Sequence, residues 1–222
     1  MFALMFKMLR AWAANRASPT YRVYDQTGVA PNPKKTYGPR TAASPLIVVH
    51  VTAVRGGFSV TAAAAARLGA RTPALLERYA QLPYHWMAAR ADEGIVVHNH
   101  TPFLRTIHGH AGNRGIGVAI DCDWDEPLTE VLIGAGRTMM HEALAELRAA
   151  TGASTVFVAP HRVFSNTRLN DPGPRVWADI VLPAVTDCPF ARILYDHCEG
   201  TGRPVPNTWD ARSRFNPDGT RA

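Results

Sequence analysis

Two short β-branched runs, each closed by a histidine, constrain this chain more than any other feature. LIVV (46 to 49) leads into His50, and TVFVA (155 to 159) is followed, after Pro160, by His161. Runs of this length and composition read as buried strands. A histidine at the end of such a strand is held by a rigid element. Asp171 lies ten residues beyond His161, and Pro172-Gly173 would turn the chain sharply there, so a loop of this length can return the carboxylate to the imidazole. A lone histidine is more often a hydrogen-bonding partner than a ligand. Two imidazoles and one carboxylate together form the three-ligand set that catalytic zinc sites use, with the fourth position left to water.

The rest of the chain reads as one domain of 222 residues. Strands are expected over 46–51 and 115–121, and a hairpin over 84–90 and 94–98 around Asp92-Glu93-Gly94. Residues 59–81, Ala- and Leu-rich and broken by Gly69 and Pro73, fit two short helices capped by Ser59 and Thr72. A long helix is expected from about Glu126 to Ala149, with Pro127 in its first turn and Leu128, Leu132, Ala135, Met139 and Leu147 along one stripe. Gly152 is its stop signal. A final helix is expected from Arg175 to Val185. Strands alternating with helices give an α/β layer structure. Residues 1–45 read as an N-terminal helix and extended arm, 46–186 as the catalytic domain and 187–222 as an irregular tail.

Composition narrows the partners. Basic residues outnumber acidic ones, 24 to 18, for a formal charge of +6, which suits a polyanion, an anionic lipid surface or an acidic wall polymer. With no RNP-type motif, Cys-Cys-His-His finger or recognition helix, no nucleic-acid partner is expected. Three cysteines are too few for a disulfide scaffold; Cys188 and Cys198 are open to pairing or to standing free. There is no GxSxG elbow, no phosphate-loop signature and no cysteine in a nucleophile motif. The first 16 residues lack the unbroken apolar run of a secretory signal. They fit an amphipathic helix docked on its own domain or a partly disordered start, with weak membrane contact as the alternative. The expected location is the cytoplasm, or the cell wall after lysis or dedicated export. The sequence leaves the oligomeric state open.

The segments IVVHVTA (47 to 53), YHWMAARADEGIVVH (84 to 98), HAGNRGIGVAI (110 to 120) and APHRVFSNTRLNDPGP (159 to 174) resemble, in order and spacing, the zinc-dependent N-acetylmuramoyl-L-alanine amidases of the type 2 class. That group includes phage T7-type lysozyme and the peptidoglycan recognition proteins. The resemblance implies a central mixed β-sheet flanked by helices. It implies zinc as cofactor, with His50, His161 and Asp171 as ligands, and hydrolysis of the amide between N-acetylmuramic acid and L-alanine in peptidoglycan or muropeptides. Tyr84 falls on the family's active-site tyrosine. His110 falls on the HAG beside the substrate cleft, where Asn113 is expected to join it.

Two positions depart from the family pattern. A glutamate common in the strand after HAG is replaced by Ala119, and a lysine common two residues before the last ligand is replaced by Leu169. Arg168 is one candidate for the missing positive charge, although it cannot donate a proton. Asp121, two residues beyond Ala119 on the same strand face, is one candidate for the missing base; the preferred reading is that it begins the polar loop DCDWDE. Two further functions stay open: a non-catalytic peptidoglycan-binding module of the same fold, and a metal-dependent amidase acting on another amide. His108 and His110 form an HxH pair, an alternative ligand source to His50 that the resemblance argues against. His98 and His100 are expected to be solvated loop residues, and His141 a surface or satisfied core residue.

Overall fold

The computed structural model describes residues 21–53, 76, 79–89, 94–106, 110–124, 126–165, 168, 170–200, 202–205 and 209. The strands in chain order are β1 (Arg22–Asp25), β2 (Thr36–Pro39), β3 (Leu46–Val51), β4 (Trp86–Ala89), β5 (Ile95–His98), β6 (Leu104–Thr106), β7 (Ile116–Ile120), β8 (Val156–Pro160) and β9 (Ala191–Ile193). Seven of them form one sheet in the order β1-β5-β4-β7-β3-β8-β9, and β2 pairs with β6 in a separate ribbon. The β4, β7, β3, β8 and β9 strands run parallel, β5 is antiparallel to β4, and β1 is parallel to β5. The sheet is therefore mixed, with helices packed on it, as expected. Its central strands β3 and β7 are buried at every position, which is why their sequences are continuous apolar runs rather than alternating ones.

One face of the sheet is covered by α1 (Glu130–Thr151). Its buried stripe of Leu132, Ala135, Met139, Met140, Ala143, Leu144 and Leu147 packs on Ile47, Val49, Val118 and Ile120. Each large side chain buried this way contributes about 1.5–3 kcal/mol. The helix begins four residues later than expected. Thr129 is the cap, its hydroxyl accepting the N–H of Leu132, while Glu126 turns back to accept the N–H of Asp123. A capped N–H is worth more to the chain here than a Pro127 start. At the other end Gly152 adopts φ +65 and closes the helix as expected. The final helix runs as α2 (Pro174–Val176), a π-helical turn (Trp177–Val181) and α3 (Leu182–Thr186).

Two segments in which no strand is expected, the extended arm and the irregular tail, contribute strands. β1 comes from the proline-rich arm and joins the sheet edge on β5, and β9 comes from the C-terminal tail and extends the opposite edge on β8. RVYD and ARI are too short and too polar to carry a periodic signal. Edge pairing rests on backbone hydrogen bonds, which sequence does not display. The N-terminal helix of the first 16 residues lies outside the described residues. So do most of the two helices expected over 59–81, whose last turn brings the buried Tyr79 and Ala80. None of Cys122, Cys188 and Cys198 forms a disulfide. No helix among the described residues is long and apolar enough to cross a membrane.

Candidate metal centre

Because β3 and β8 are adjacent and parallel, with Val49 level with Pro160, a residue one step beyond each lies at the same end of the sheet. His50 occupies that place on β3, and His161 opens the 3-10 turn that follows β8. Side chains alternate along a strand, so His50 points away from α1, to the face that also carries Val48, Ala159 and Phe164. Asp171 returns from the loop after His161 to meet them, and its bond to Pro172 is cis. The ligand-capable atoms of His50, His161 and Asp171 all lie within 4.8 Å of one another. The imidazole rings sit 4.3 Å apart.

Asp171 is held at both oxygens. Its Oδ1 accepts the backbone N–H of Val51 at 2.8 Å. Its Oδ2 lies 2.9 Å from His161 Nδ1 and 3.6 Å from His50 Nδ1. Gly173 makes the return possible. It takes φ +91, and a Cβ there would lie 2.4 Å from the carbonyl oxygen of Trp124, a conformation and a closeness that only glycine accepts.

The electrostatics suit a cation. Burial pushes the His50 imidazole well below its ordinary pKa, aided by the charge of His161 and opposed by Asp171, so the ring is neutral at pH 7 with a lone pair to offer. Burial alone would push Asp171 up; hydrogen bonds from His161 and then His50 outweigh it and hold the carboxyl below the usual range. A neutral buried imidazole beside an ionised buried carboxylate is the donor set borderline-soft zinc takes. These residues fit that ion.

Tyr84 lies against this cluster, its ring 5.2 Å from that of His50. Burial pushes its phenol up, and the charge of Asp171 adds to this, so it remains a protonated donor. Its backbone is pinned from behind by the Asn99 side chain, which donates to the carbonyls of Tyr84 and Tyr79 at 3.2 and 3.1 Å. Arg168 is exposed, and its charge acts on both Tyr84 and His50. Ala119 stands in register with His50 on the neighbouring strand β7, so the departure from the family pattern falls directly beside the cluster. Leu169 lies outside the described residues. Asp121 is fully buried; its Oδ1 accepts the Thr52 hydroxyl at 2.9 Å and its Oδ2 accepts the Tyr79 hydroxyl. Asn113 is half-buried on the 3-10 turn His110–Arg114, while the side chains of His108 and His110 lie outside the described residues.

His85, His98, His100 and His141 make contacts within the fold. His98 and His100 are not solvated: His98 stacks on Trp86 at 4.0 Å and reaches Glu146 at 3.0 Å, and His100 is buried beside the carbonyl of Leu82. Their strand pairing and ring stacking are long-range, so an HxH spacing does not reveal them. His85 was missed altogether. Its Nδ1 accepts the N–H of Gly117 at 3.0 Å and its Nε2 donates to the carbonyl of Leu104 at 2.8 Å, joining β4 to β7 and β6. The one sequence signal for it is its place next to Tyr84. His141 lies 3.8 Å from Asp187 at the surface of α1.

No protein-family profile matches this chain, and no curated protein sequence does. Solved structures do. Drosophila PGRP-LB is similar with a TM-score of 0.50 at 15% identity, over 85% of this chain and 100% of that one. A point mutant of PGRP-LB in complex with tracheal cytotoxin (TCT) also gives 0.50 at 15% identity, over 77% and 96%. Drosophila peptidoglycan recognition protein SD (PGRP-SD) gives 0.50 at 13% identity, over 78% and 98%. At such identities the likeness is one of fold. The chain has the fold of these peptidoglycan recognition proteins.

Proposed function

We propose that this protein is a zinc-dependent amidase that hydrolyses the bond between N-acetylmuramic acid and L-alanine in peptidoglycan or muropeptides. The observation that carries the reading is the meeting of His50, His161 and Asp171 within 4.8 Å on one sheet face. The complex of a PGRP-LB mutant with tracheal cytotoxin supports the ligand class. An amide is a poor electrophile and water a poor nucleophile; zinc, when bound, polarises a carbonyl and brings the pKa of a water to about 7.

The chain's own residues supply the rest. His50, His161 and Asp171 hold the cation, and the Val51 N–H fixes the carboxylate's orientation, as a neighbouring donor does for a metal ligand. Tyr84, kept protonated by burial, donates a hydrogen bond to the oxygen on which negative charge develops. Arg168 adds a fixed positive charge at the rim. Asp121 is the carboxylate of the site-facing row of β7 and the candidate base; the hydroxyls of Thr52 and Tyr79 on its oxygens favour instead a role in holding the end of β3 beside His50. His110 and Asn113, on the turn that leads into β7, are the proposed substrate contacts. Incubation of the purified protein with muropeptides tests the reading. Free muramoyl sugar is expected, with its release abolished by a chelator and restored by zinc; no release with any metal sinks the proposal.

The Ala119 methyl beside His50 favours a second reading, a module that binds peptidoglycan fragments without cutting them. Calorimetry then shows muropeptide affinity with no turnover over hours.

A further inference from the structure

A pocket of about 450 Å³ opens beside the β2–β6 ribbon, lined by Tyr37, Arg40, Ser44, Arg105, Asn113 and Arg114. Three of these are arginines, and no acidic residue lines the pocket among the described residues. Arg40 lines it and is half-buried. Its Nε donates to the carbonyl of Pro102 at 2.7 Å, its Nη1 to those of Asn113 at 3.3 Å and Arg114, and its Nη2 to that of Gly115 at 3.0 Å. Every one of these acceptors is a neutral carbonyl. They satisfy the guanidinium's hydrogen bonds and leave its charge uncompensated. Arg105 sits on the rim, its guanidinium 5.0 Å over the ring of Tyr37. Among the described residues no carboxylate pairs with Arg40 or Arg105. Arg114 pairs with Glu199, so three positive charges face one negative charge, an excess of two. Burial and the charge of Arg105 both weigh against the Arg40 cation, which places the two guanidinium groups close enough to repel.

We infer that this pocket binds an oxyanion, a phosphate or carboxylate group carried by a ligand. An anion placed between Arg40 and Arg105 relieves their repulsion. Arg105 offers planar, forked donors suited to either group. The Tyr37 ring already restrains Arg105 through a cation–π contact, so less side-chain freedom is lost when an anion arrives. The Ser44 hydroxyl adds a neutral donor. None of these residues is a ligand of the metal cluster. The pocket shares Asn113 with the proposed substrate contacts; binding measured on the full chain treated with chelator separates its failure from a failure of the amidase reading.

The experiment titrates the full-length protein with inorganic phosphate and, separately, with succinate, by calorimetry at an ionic strength held constant with chloride. Saturable binding is expected for at least one anion, and about tenfold weaker binding in Arg105→Ala, the loss of one charge-assisted contact. Binding of phosphate alone assigns the pocket to a phosphate-bearing ligand. Binding of succinate alone assigns it to a carboxylate-bearing one, and binding of both supports a general oxyanion site. Should Arg105→Ala fail to fold, Tyr37→Leu at an exposed position serves instead, with a few-fold loss expected. Binding of neither anion, or equal binding by wild type and the folded variant, overturns the inference.

Discussion

The backbone N–H of Val51 reaches Oδ1 of Asp171 at 2.8 Å across 120 positions of sequence. One oxygen of the carboxylate is thereby tied to the strand that carries His50, and the other is turned toward both imidazoles. The first prediction follows from this clamp. The wild-type protein should carry about one zinc per chain, and both His161→Ala and Asp171→Ala should lose most of it, as read by elemental analysis after dialysis. Retention of full metal by both variants would show that the cation is held elsewhere.

Ala119 lies beside His50 in register, with Met87 level with it on the other side. Ala119→Glu puts a carboxylate at the edge of the metal cluster. A placed general base is worth about 10²–10⁴ in rate, so muropeptide turnover should rise at least about tenfold. The same change crowds a position that is fully buried, and thermal unfolding should show a loss of about 1–3 kcal/mol. A destabilised variant with unchanged turnover would mean that this position lies out of reach of the reacting groups.

His85 makes stability depend on acidity. Burial, opposed by its bond to the Leu104 carbonyl, lowers its pKa from the ordinary 6.5 to about 3. Above pH 6.5 both folded and unfolded states hold the ring neutral, and the full stability is present. As pH falls from 6.5 toward 3, only the unfolded chain takes up the proton, so stability falls by about 1.4 kcal/mol per pH unit from this group. Urea unfolding between pH 7 and pH 4 measures the slope. It should flatten in His85→Asn; an equal slope in the variant would assign the acid sensitivity to other groups.

Gly173→Ala tests the turn that returns Asp171. The backbone sits at φ +91 and the new methyl meets the Trp124 carbonyl at 2.4 Å. The variant should lose on the order of 2 kcal/mol or more of stability, and its zinc affinity should fall, since the turn positions a ligand. Wild-type stability by chemical denaturation would contradict the closeness of that contact.

The sequence alone determined the strands around His50, Val118 and Val158, the long helix, and the spacing that set His161 ten residues before Asp171. Those features are local: continuous apolar runs, a 3.6-residue stripe and a turn written in Pro-Gly are visible wherever the chain goes. It also showed, through resemblance, which side chains to suspect. Only the tertiary structure decided which strands are neighbours. That arrangement puts β3 next to β8, so that two histidines 111 positions apart share one sheet end. It sets Ala119 beside His50, and it turns the Asp171 carboxylate by the Val51 N–H. The same is true of the edge strands β1 and β9, of His98 stacked on Trp86, and of His85 joining three strands. Each depends on backbone hydrogen bonds or long-range contacts, which form between segments by packing and leave no period or motif in either segment alone.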